Sequence, residues 1–336
     1  MSPNVLLVRL GAFGDIIHAL PVAAALRHAW PGARIDWVVD RRYRRVLDLM
    51  RGLDEVIEVG ANDWPLAIPS LRRHRYDIAI DLQGLLKSAA IARGTGARRV
   101  IGFDADHLRE RAARVLYSET VTPPGVCHVI TKNLAVLLAL GVSSDGPMFP
   151  IEIPPSGIVE LARAALALGP GDRFAIVNPS AGWPNKQWPP ERFGAVAAHL
   201  RARHGMRSVV IWGPKERRLA EQVVALSQGS AEVAPATNLG DLAALSRGAA
   251  LIISGDTGPL HLATALGTPA VGLFGPTSSS RNGPFSENDV SLSRFDQCEC
   301  HHKRQCRRST ACIMDVSIDE VIAAVDRRLA SVIVHA

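Results

Sequence analysis

No uninterrupted apolar stretch in this chain reaches the length of a bilayer span, which excludes a membrane-spanning helix. Its first residues, Met1-Ser2-Pro3-Asn4, lack the basic region and long apolar core of a secretion signal and lead straight into an expected strand. The expected address is therefore the cytoplasm. RNP, zinc-finger and helix-turn-helix signatures are missing, so nucleic acid is not an expected partner. There is no short-period repeat, which excludes a solenoid. Lysine is scarce as well: Lys87, Lys132, Lys186, Lys215 and Lys303 are the only five, and the other basic residues are arginines.

What is present is ample. At 336 residues and 36.1 kDa the chain has room for two domains, each with its own core. A hydrophobic content of 47% with 21% charged residues is ordinary for a soluble globular enzyme. The net charge of +6 and isoelectric point near 9.4 suit an anionic partner, such as a phosphorylated substrate or an anionic membrane face. A GC-rich coding bias toward arginine would raise the charge just as well.

Strand and helix alternate along the first half. Val5–Leu10, Ile35–Val39, Val56–Val59, Ile78–Ile80 and Arg99–Phe103 read as strands, with helices over Pro21–Ala29, Arg42–Met50 and Leu85–Arg93. Pro123-Pro124-Gly125 interrupts the pattern, and a helix over Ile130–Leu140 follows. The proline-rich stretch Gly146–Pro155 is the natural interdomain connection. The alternation then restarts with strands Phe174–Asn178, Ser208–Trp212, Leu251–Ser254 and Ala270–Phe274, and helices Arg192–Arg203, Arg217–Leu226 and Leu239–Arg247. These successive βα sets predict an α/β protein of two doubly wound, Rossmann-like domains, 1–150 and 156–316, facing across a cleft. Residues 317–336 are expected to form a closing helix and tail that returns toward the first domain.

Four segments carry chemistry. In Ser254-Gly255-Asp256-Thr257-Gly258-Pro259-Leu260-His261 an apolar strand turns into a short helix. Gly258 allows close backbone approach, Pro259 is pre-shaped for a first helical turn, and the free amides there suit a phosphate that His261 would face. In Asn178-Pro179-Ser180-Ala181-Gly182-Trp183-Pro184-Asn185-Lys186, again just past a strand, Ser180 can donate to a phosphate oxygen and Lys186 supplies a point charge for a diphosphate. In Gly11-Ala12-Phe13-Gly14-Asp15, Asp15 lies at the end of the first strand, as a general base or as a helix cap. The phosphate loop in the second half favours the base. Asp81-Leu82-Gln83-Gly84-Leu85-Leu86-Lys87 is either a second anion site, through Lys87 and the helix start, or a capped turn.

A fifth segment is unusual. Cys298, Cys300, Cys306 and Cys312 fall within fifteen residues beside His301 and His302. Structural disulfides are rare in the cytosol, so a structural zinc or iron site is one reading. The spacing C-x-C-x5-C-x5-C is not a standard zinc pattern, and reduced thiols or a redox-dependent disulfide stand beside it. In each case the segment is a structural loop rather than a reaction centre. Cys127 stands apart as a small apolar residue.

With these motifs in this order, the chain resembles the lipopolysaccharide heptosyltransferases of glycosyltransferase family 9 over nearly its whole length. Asp256-Thr257-Gly258-Pro259-Leu260-His261 is the most specific part, and Asp36-Trp37-Val38-Val39-Asp40 with Asp81–Ala89 looks more like heptosyltransferase I than II. The cysteine-rich tail departs from the best-known type I enzymes, which bears on the acceptor rather than on the donor fold. The resemblance implies a GT-B architecture whose second domain binds the donor. It implies that Asp15 is the base, and that Ser180, Lys186, Asp256, Thr257, Gly258 and His261 hold ADP-heptose, with Glu216 near the nucleoside. Arg9, Gly14, Gln83 and Lys87 would meet an anionic lipid A precursor carrying Kdo, at the inner face of the cytoplasmic membrane. The Arg41-Arg42-Tyr43-Arg44-Arg45 cluster would suit the same acceptor, or is only a solvated face. No catalytic metal or other cofactor is expected. A heptosyltransferase II-like enzyme with another acceptor, a nucleotide-sugar epimerase and a non-catalytic nucleotide-sugar binder are the competing readings.

Overall fold

A computed structural model describes residues 2–333. The chain divides into two compact units, Met1–Glu152 and Ile153–Ala336, the break falling inside the proline-rich stretch Gly146–Pro155. The first unit is built on strands β1 (Asn4–Val8), β2 (Arg34–Asp40), β3 (Glu55–Val59), β4 (Ile78–Asp81), β5 (Arg99–Phe103) and β6 (Glu119–Val121). They form one parallel sheet in the order β3-β2-β1-β4-β5-β6. The second unit has β7 (Phe174–Asn178), β8 (Arg207–Val210), β9 (Ala231–Val233), β10 (Leu251–Gly255), β11 (Ala270–Phe274) and β12 (Val290–Ser293). Its sheet, β12-β11-β10-β7-β8-β9, is parallel too and repeats the same winding.

Parallel sheets need both faces covered, and their central strands are correspondingly apolar. Val5 to Val8 are fully buried, as is every residue of β7, β10 and β11. Side chains alternate across the second sheet. Ala175, Val177, Leu251 and Ile253 pack on one side with Phe193, Val196, Leu200, Val223 and Val325. Phe174, Ile176 and Ile252 pack on the other with Ile158, Leu245 and Leu260.

The helix Pro190–His204 begins on a proline and ends where Gly205, at φ 63°, turns left-handed. The closing helix Ile318–Ile333 is started by a reciprocal cap: Ser317 N–H donates to Glu320 Oε2 at 2.8 Å and Glu320 N–H to Ser317 Oγ at 3.2 Å. This helix packs on the core of the second unit. Val321, Val325 and Leu329 join its core, and Arg328 pairs with the buried Asp289 at 2.7 Å. The remainder of the expected tail, 334–336, lies outside the described residues. Among the described residues no helix is long and apolar enough to cross a membrane.

Two expected helices are shorter. Asp40 Oδ1 accepts the amide of Arg42, so the chain starts as a 3-10 turn over Arg41–Tyr43 and only Arg44–Leu47 is α-helical. The stretch after Pro123 is α-helical over Val129–Leu134 and 3-10 over Ala135–Leu140, ending at left-handed Gly141.

In a doubly wound sheet, ligands bind past the carboxyl ends of the strands, where the winding reverses. In the first unit that point lies between β1 and β4, where Val8 is level with Asp81. In the second it lies between β7 and β10, where Asn178 is level with Ser254.

Candidate functional site

The second unit's reversal point gathers the polar residues that the sequence singles out. Asp256, directly after β10, is buried at 9% exposure and accepts hydrogen bonds from three directions. Lys186 Nζ lies 2.5 Å from Oδ2, Thr277 Oγ1 donates to the same oxygen at 2.7 Å, and His261 Nε2 meets Oδ1 at 3.1 Å. Burial alone would raise the pKa of this carboxyl. The hydrogen bond and charge of His261, with the Lys186 ammonium, overturn that and hold it well below the usual carboxylate range. Asp256 therefore gathers Lys186, His261 and Thr277 around itself and does not present a bare carboxylate to an anion.

Lys186 ends the short 3-10 turn Pro184–Lys186, and its ammonium also rests 4.5 Å from the Trp183 ring centroid. Thr257 precedes the helix Gly258–Ala265 and leaves its first amides without a side-chain cap. The Thr257 side chain is held by Asn178, whose Nδ2 reaches Ser254 Oγ and Thr257 Oγ1, each at 2.9 Å. Asn178 Oδ1 also accepts the Ser180 amide at 3.3 Å. Ser180 is 8% exposed, and its hydroxyl makes no hydrogen bond among the described residues. A buried hydroxyl left unsatisfied beside free helix amides is what a site for an anionic ligand presents.

His261 was expected to face the anion, yet its Nε2 is engaged by Asp256, because the first helical turn brings the ring back over that carboxylate. Glu216 sits apart from this cluster: it precedes the helix Arg217–Ala225 past β8, and its Oε2 accepts the Gly213 amide at 3.1 Å. Asn178 and Thr277 are the members that sequence reasoning passed over. Asn178 ends β7 and Thr277 stands three residues past β11, at the same sheet edge as Asp256, and that shared position was the signal available.

The first unit's reversal point holds the remaining residues. Asp15, in the helix Phe13–Ile17, accepts the Ala12 amide at Oδ2 (3.1 Å) and pairs through Oδ1 with Arg9 at 2.9 Å. It thus caps its helix and is also 35% exposed. Each carboxylate oxygen keeps a second lone pair. Arg9 is fixed in turn by donation to Leu82 C=O at 2.5 Å. Gln83 Oε1 accepts the Leu10 amide at 2.7 Å and so ties the two loops together. Gly14, in the same helix as Asp15, gives its carbonyl to the His18 amide at 2.9 Å. Lys87 Nζ is held by the carbonyls of Gly60 (2.9 Å) and Ala61 (2.8 Å), two of its three donors. Beneath them Asp81 is fully buried; desolvation pushes its carboxyl up, against hydrogen bonds from Tyr117, Ser88 and the amides of Gln83 and Gly84.

In the cysteine segment, Cys298, Cys300 and Cys312 are buried and pack together, with Cys306 half-buried against them.

Comparison with known proteins identifies the family and the fold. The sequence profile of Glycosyltransferase family 9 (heptosyltransferase) matches residues 67–312. Lipopolysaccharide heptosyltransferase 1 of Pseudomonas aeruginosa is 30% identical over 318 residues, covering 90% of this chain and 87% of that protein. Among solved structures, a family 9 glycosyl transferase from Veillonella parvula superposes with a TM-score of 0.84 at 25% identity, covering 98% of each chain. The E. coli heptosyltransferase WaaC with ADP-2-deoxy-2-fluoro heptose gives a TM-score of 0.72 at 25% identity, covering 96% of this chain and 99% of that one. With two Rossmann-like units of the GT-B class and a family match over most of its length, this chain belongs to glycosyltransferase family 9, the heptosyltransferases.

Proposed function

We propose that this glycosyltransferase moves a heptose, with inversion, from ADP-L-glycero-D-manno-heptose to a hydroxyl of a Kdo-carrying lipid A precursor. The observation that carries the reading is the Asp256 array. It fixes Lys186, Thr277 and His261 around one buried carboxylate, beside uncapped helix amides and the unsatisfied Ser180 hydroxyl. Breaking the sugar–phosphate bond leaves negative charge on the departing diphosphate. Pre-placed donors stabilise that charge without reorganising at the moment of reaction.

Asp15 takes the proton of the attacking hydroxyl. Its carboxylate is oriented by Arg9 and by the Ala12 amide, so a free lone pair is aimed rather than averaged over rotamers. Attack opposite the departing diphosphate inverts the anomeric carbon. Lys87 retains one N–H for an acidic group of the acceptor, and Arg9, Gly14 and Gln83 shape the same loop pair. Glu216 lies near the nucleoside in this reading. An anionic, membrane-embedded acceptor matches the +6 charge, with the protein working at the inner face of the cytoplasmic membrane. The type I acceptor is favoured by the 30% identity to heptosyltransferase 1.

The test is a donor–acceptor matrix read by mass spectrometry: ADP-heptose, ADP-mannose and UDP-sugars against defined lipid A precursors. Transfer from ADP-heptose to the Kdo-carrying acceptor is expected. Transfer only to an acceptor already bearing heptose would move the enzyme to the type II class. An isomerised donor formed without acceptor would replace transfer by epimerisation.

A further inference from the structure

Among the described residues, two groups of three histidine or carboxylate side chains bring their ligand atoms within 4.8 Å of one another. Neither includes the cysteines that the sequence offered as metal ligands. One group is Asp36, Glu55 and His74 in the first unit. There Arg34 already answers the carboxylates, with Nε 2.8 Å from Asp36 Oδ2 and Nη2 paired with Glu55. The other group is His199, His204 and Asp326 in the second unit. Its carboxylate has no arginine or lysine partner among the described residues, only the two imidazoles.

His199 and His204 belong to the helix Pro190–His204, and Asp326 to the closing helix Ile318–Ile333. Leu200 and Val325 of these helices lie in one core, so the neighbouring His199 and Asp326 stand at the rim of that contact. Five positions along a helix are about 140° apart around its axis, so histidines at this spacing share no face of a continuing helix. They converge where the helix stops. Gly205, left-handed at φ 63°, donates its N–H to Arg201 C=O at 3.1 Å, and Met206 N–H reaches Leu200 C=O at 3.1 Å. The carboxyl end of a helix also carries partial negative charge, which favours a cation there.

Both imidazoles turn the same nitrogen to the same oxygen. His199 Nε2 lies 2.8 Å and His204 Nε2 2.7 Å from Asp326 Oδ1, with the rings edge to face at a centroid distance of 5.9 Å. Burial would raise the Asp326 carboxyl, but the hydrogen bonds and charges of the two imidazoles bring it below its ordinary value. It therefore stands as the anion, the metal-binding form. Two imidazole nitrogens and one carboxylate are a donor set for zinc, with a fourth position left for water. The carboxylate is 40% exposed, so water reaches it. Tetrahedral ligands about 2.1 Å from zinc stand about 3.4 Å apart, so an ion enters once each N···O contact widens by about 0.6 Å.

We propose that His199 Nε2, His204 Nε2 and the Asp326 carboxylate bind one divalent ion of the zinc class, and that the ion pins the closing helix to the helix Pro190–His204. A neutral ring binds through Nε2 by carrying its one N–H at Nδ1, and a protonated ring releases one proton. The ion keeps its oxidation state, and its role is structural.

The full chain, His204→Gln and Asp326→Asn are each stripped with a chelator under reducing conditions and titrated with zinc alone by calorimetry. The cysteines are common to all three chains, so any zinc they take cancels in the comparison. The natural chain is expected to bind one zinc that each variant binds at least about a hundredfold more weakly, since loss of even an outer-shell partner costs up to that much. Equal zinc binding in all three chains overturns the site, as does a natural chain that takes no zinc. In case the variants fail to fold, X-ray absorption at the zinc edge is measured on the zinc-saturated natural chain. A shell of nitrogen and oxygen at about 2.0–2.2 Å with imidazole scattering is expected, and a shell of sulfur alone overturns the site. With zinc at about ten times its Kd, amide hydrogen exchange of the closing helix should slow about tenfold in the natural chain. Exchange unchanged by bound zinc overturns the pinning.

Discussion

Ser180 offers a prediction whose sign separates a binding role from a packing role. Its hydroxyl is buried and unsatisfied, so Ser180→Ala removes a desolvated group that nothing in the protein repays. Thermal stability is expected to hold or rise slightly, whereas ADP affinity falls about tenfold, the worth of one hydrogen bond to a charged group. A loss of stability with unchanged ADP affinity would make Ser180 a packing residue. Asp256 behaves oppositely. Asp256→Asn leaves the Lys186 ammonium without its buried partner, and breaking such a pair costs about 3–5 kcal/mol. Because the folded carboxyl is held below its unfolded value of 3.8, its stabilisation is present above that pH and is lost as pH falls toward the folded value. The melting-temperature gap between the natural chain and Asp256→Asn should therefore be widest near neutrality and shrink below about pH 4. A gap independent of pH would show that the carboxylate charge is not what stabilises the array. For Asp15→Asn, kcat is expected to drop at least about a hundredfold, the usual contribution of a positioned base, with ADP affinity unchanged. Full transfer activity in that variant would falsify the base assignment.

At the level of elements, close backbone approach limits what the loops around Asp256 tolerate. A Cβ on Gly275 would lie 3.1 Å from Ile313 Cβ and 3.3 Å from the Asn185 carbonyl. Gly275→Ala should therefore push the Asn185–Lys186 turn outward, at a stability cost of about 1–3 kcal/mol and with weaker ADP binding. An unchanged ADP affinity, measured by calorimetry, would mean that the turn yields without moving Lys186. The closing helix supplies a control far from the chemistry: Ser317→Ala should lose about 1 kcal/mol of stability with its cap and leave catalysis intact.

These elements also mark what the sequence made legible. The central strands, whose apolar runs are buried on both faces, stand within a residue or two of where periodicity put them. The edge strands Glu119–Val121, Ala231–Val233 and Val290–Ser293 went unread, because three or four half-polar residues carry no period. The helix proposed over Arg42–Met50 shrank for a local reason, the competition of Asp40 for the Arg42 amide. Lys186 and Asp256 were legible as candidate site residues since each follows a strand within a polar turn. Their mutual pairing was not, for it joins positions 70 residues apart through the sheet order. Thr277 was hidden in the same way: a threonine after Gly-Pro has no chemistry until the neighbouring strand brings Asp256 beside it.

For the molecule as a whole, the positive charge should be felt by the acceptor more than by the nucleotide. Lys186 and Asp256 are both largely buried, so salt screens them weakly, whereas Arg41, Arg42 and Lys87 lie nearer to solvent. Raising ionic strength should increase KM for the acceptor markedly and KM for the donor little. Equal shifts in steady-state kinetics would argue against surface arginines steering the acceptor.

The shared strand order gives the two sheets a common coordinate system, in which residues of one unit have counterparts in the other. Asp81 closes β4 and Asp256 directly follows β10, the fourth strand of each sheet. Both are buried carboxyls, yet their fates diverge. Hydroxyls and amides surround Asp81, and desolvation prevails; a lysine and a histidine surround Asp256, and the anion prevails. The end of the fourth strand thus carries a strut in the first half and, two residues beyond the matching position Ser254, a charged anchor in the second. A change of partners there, with the sheet left as it is, is enough to set a neutral carboxyl apart from an anion within one winding used twice.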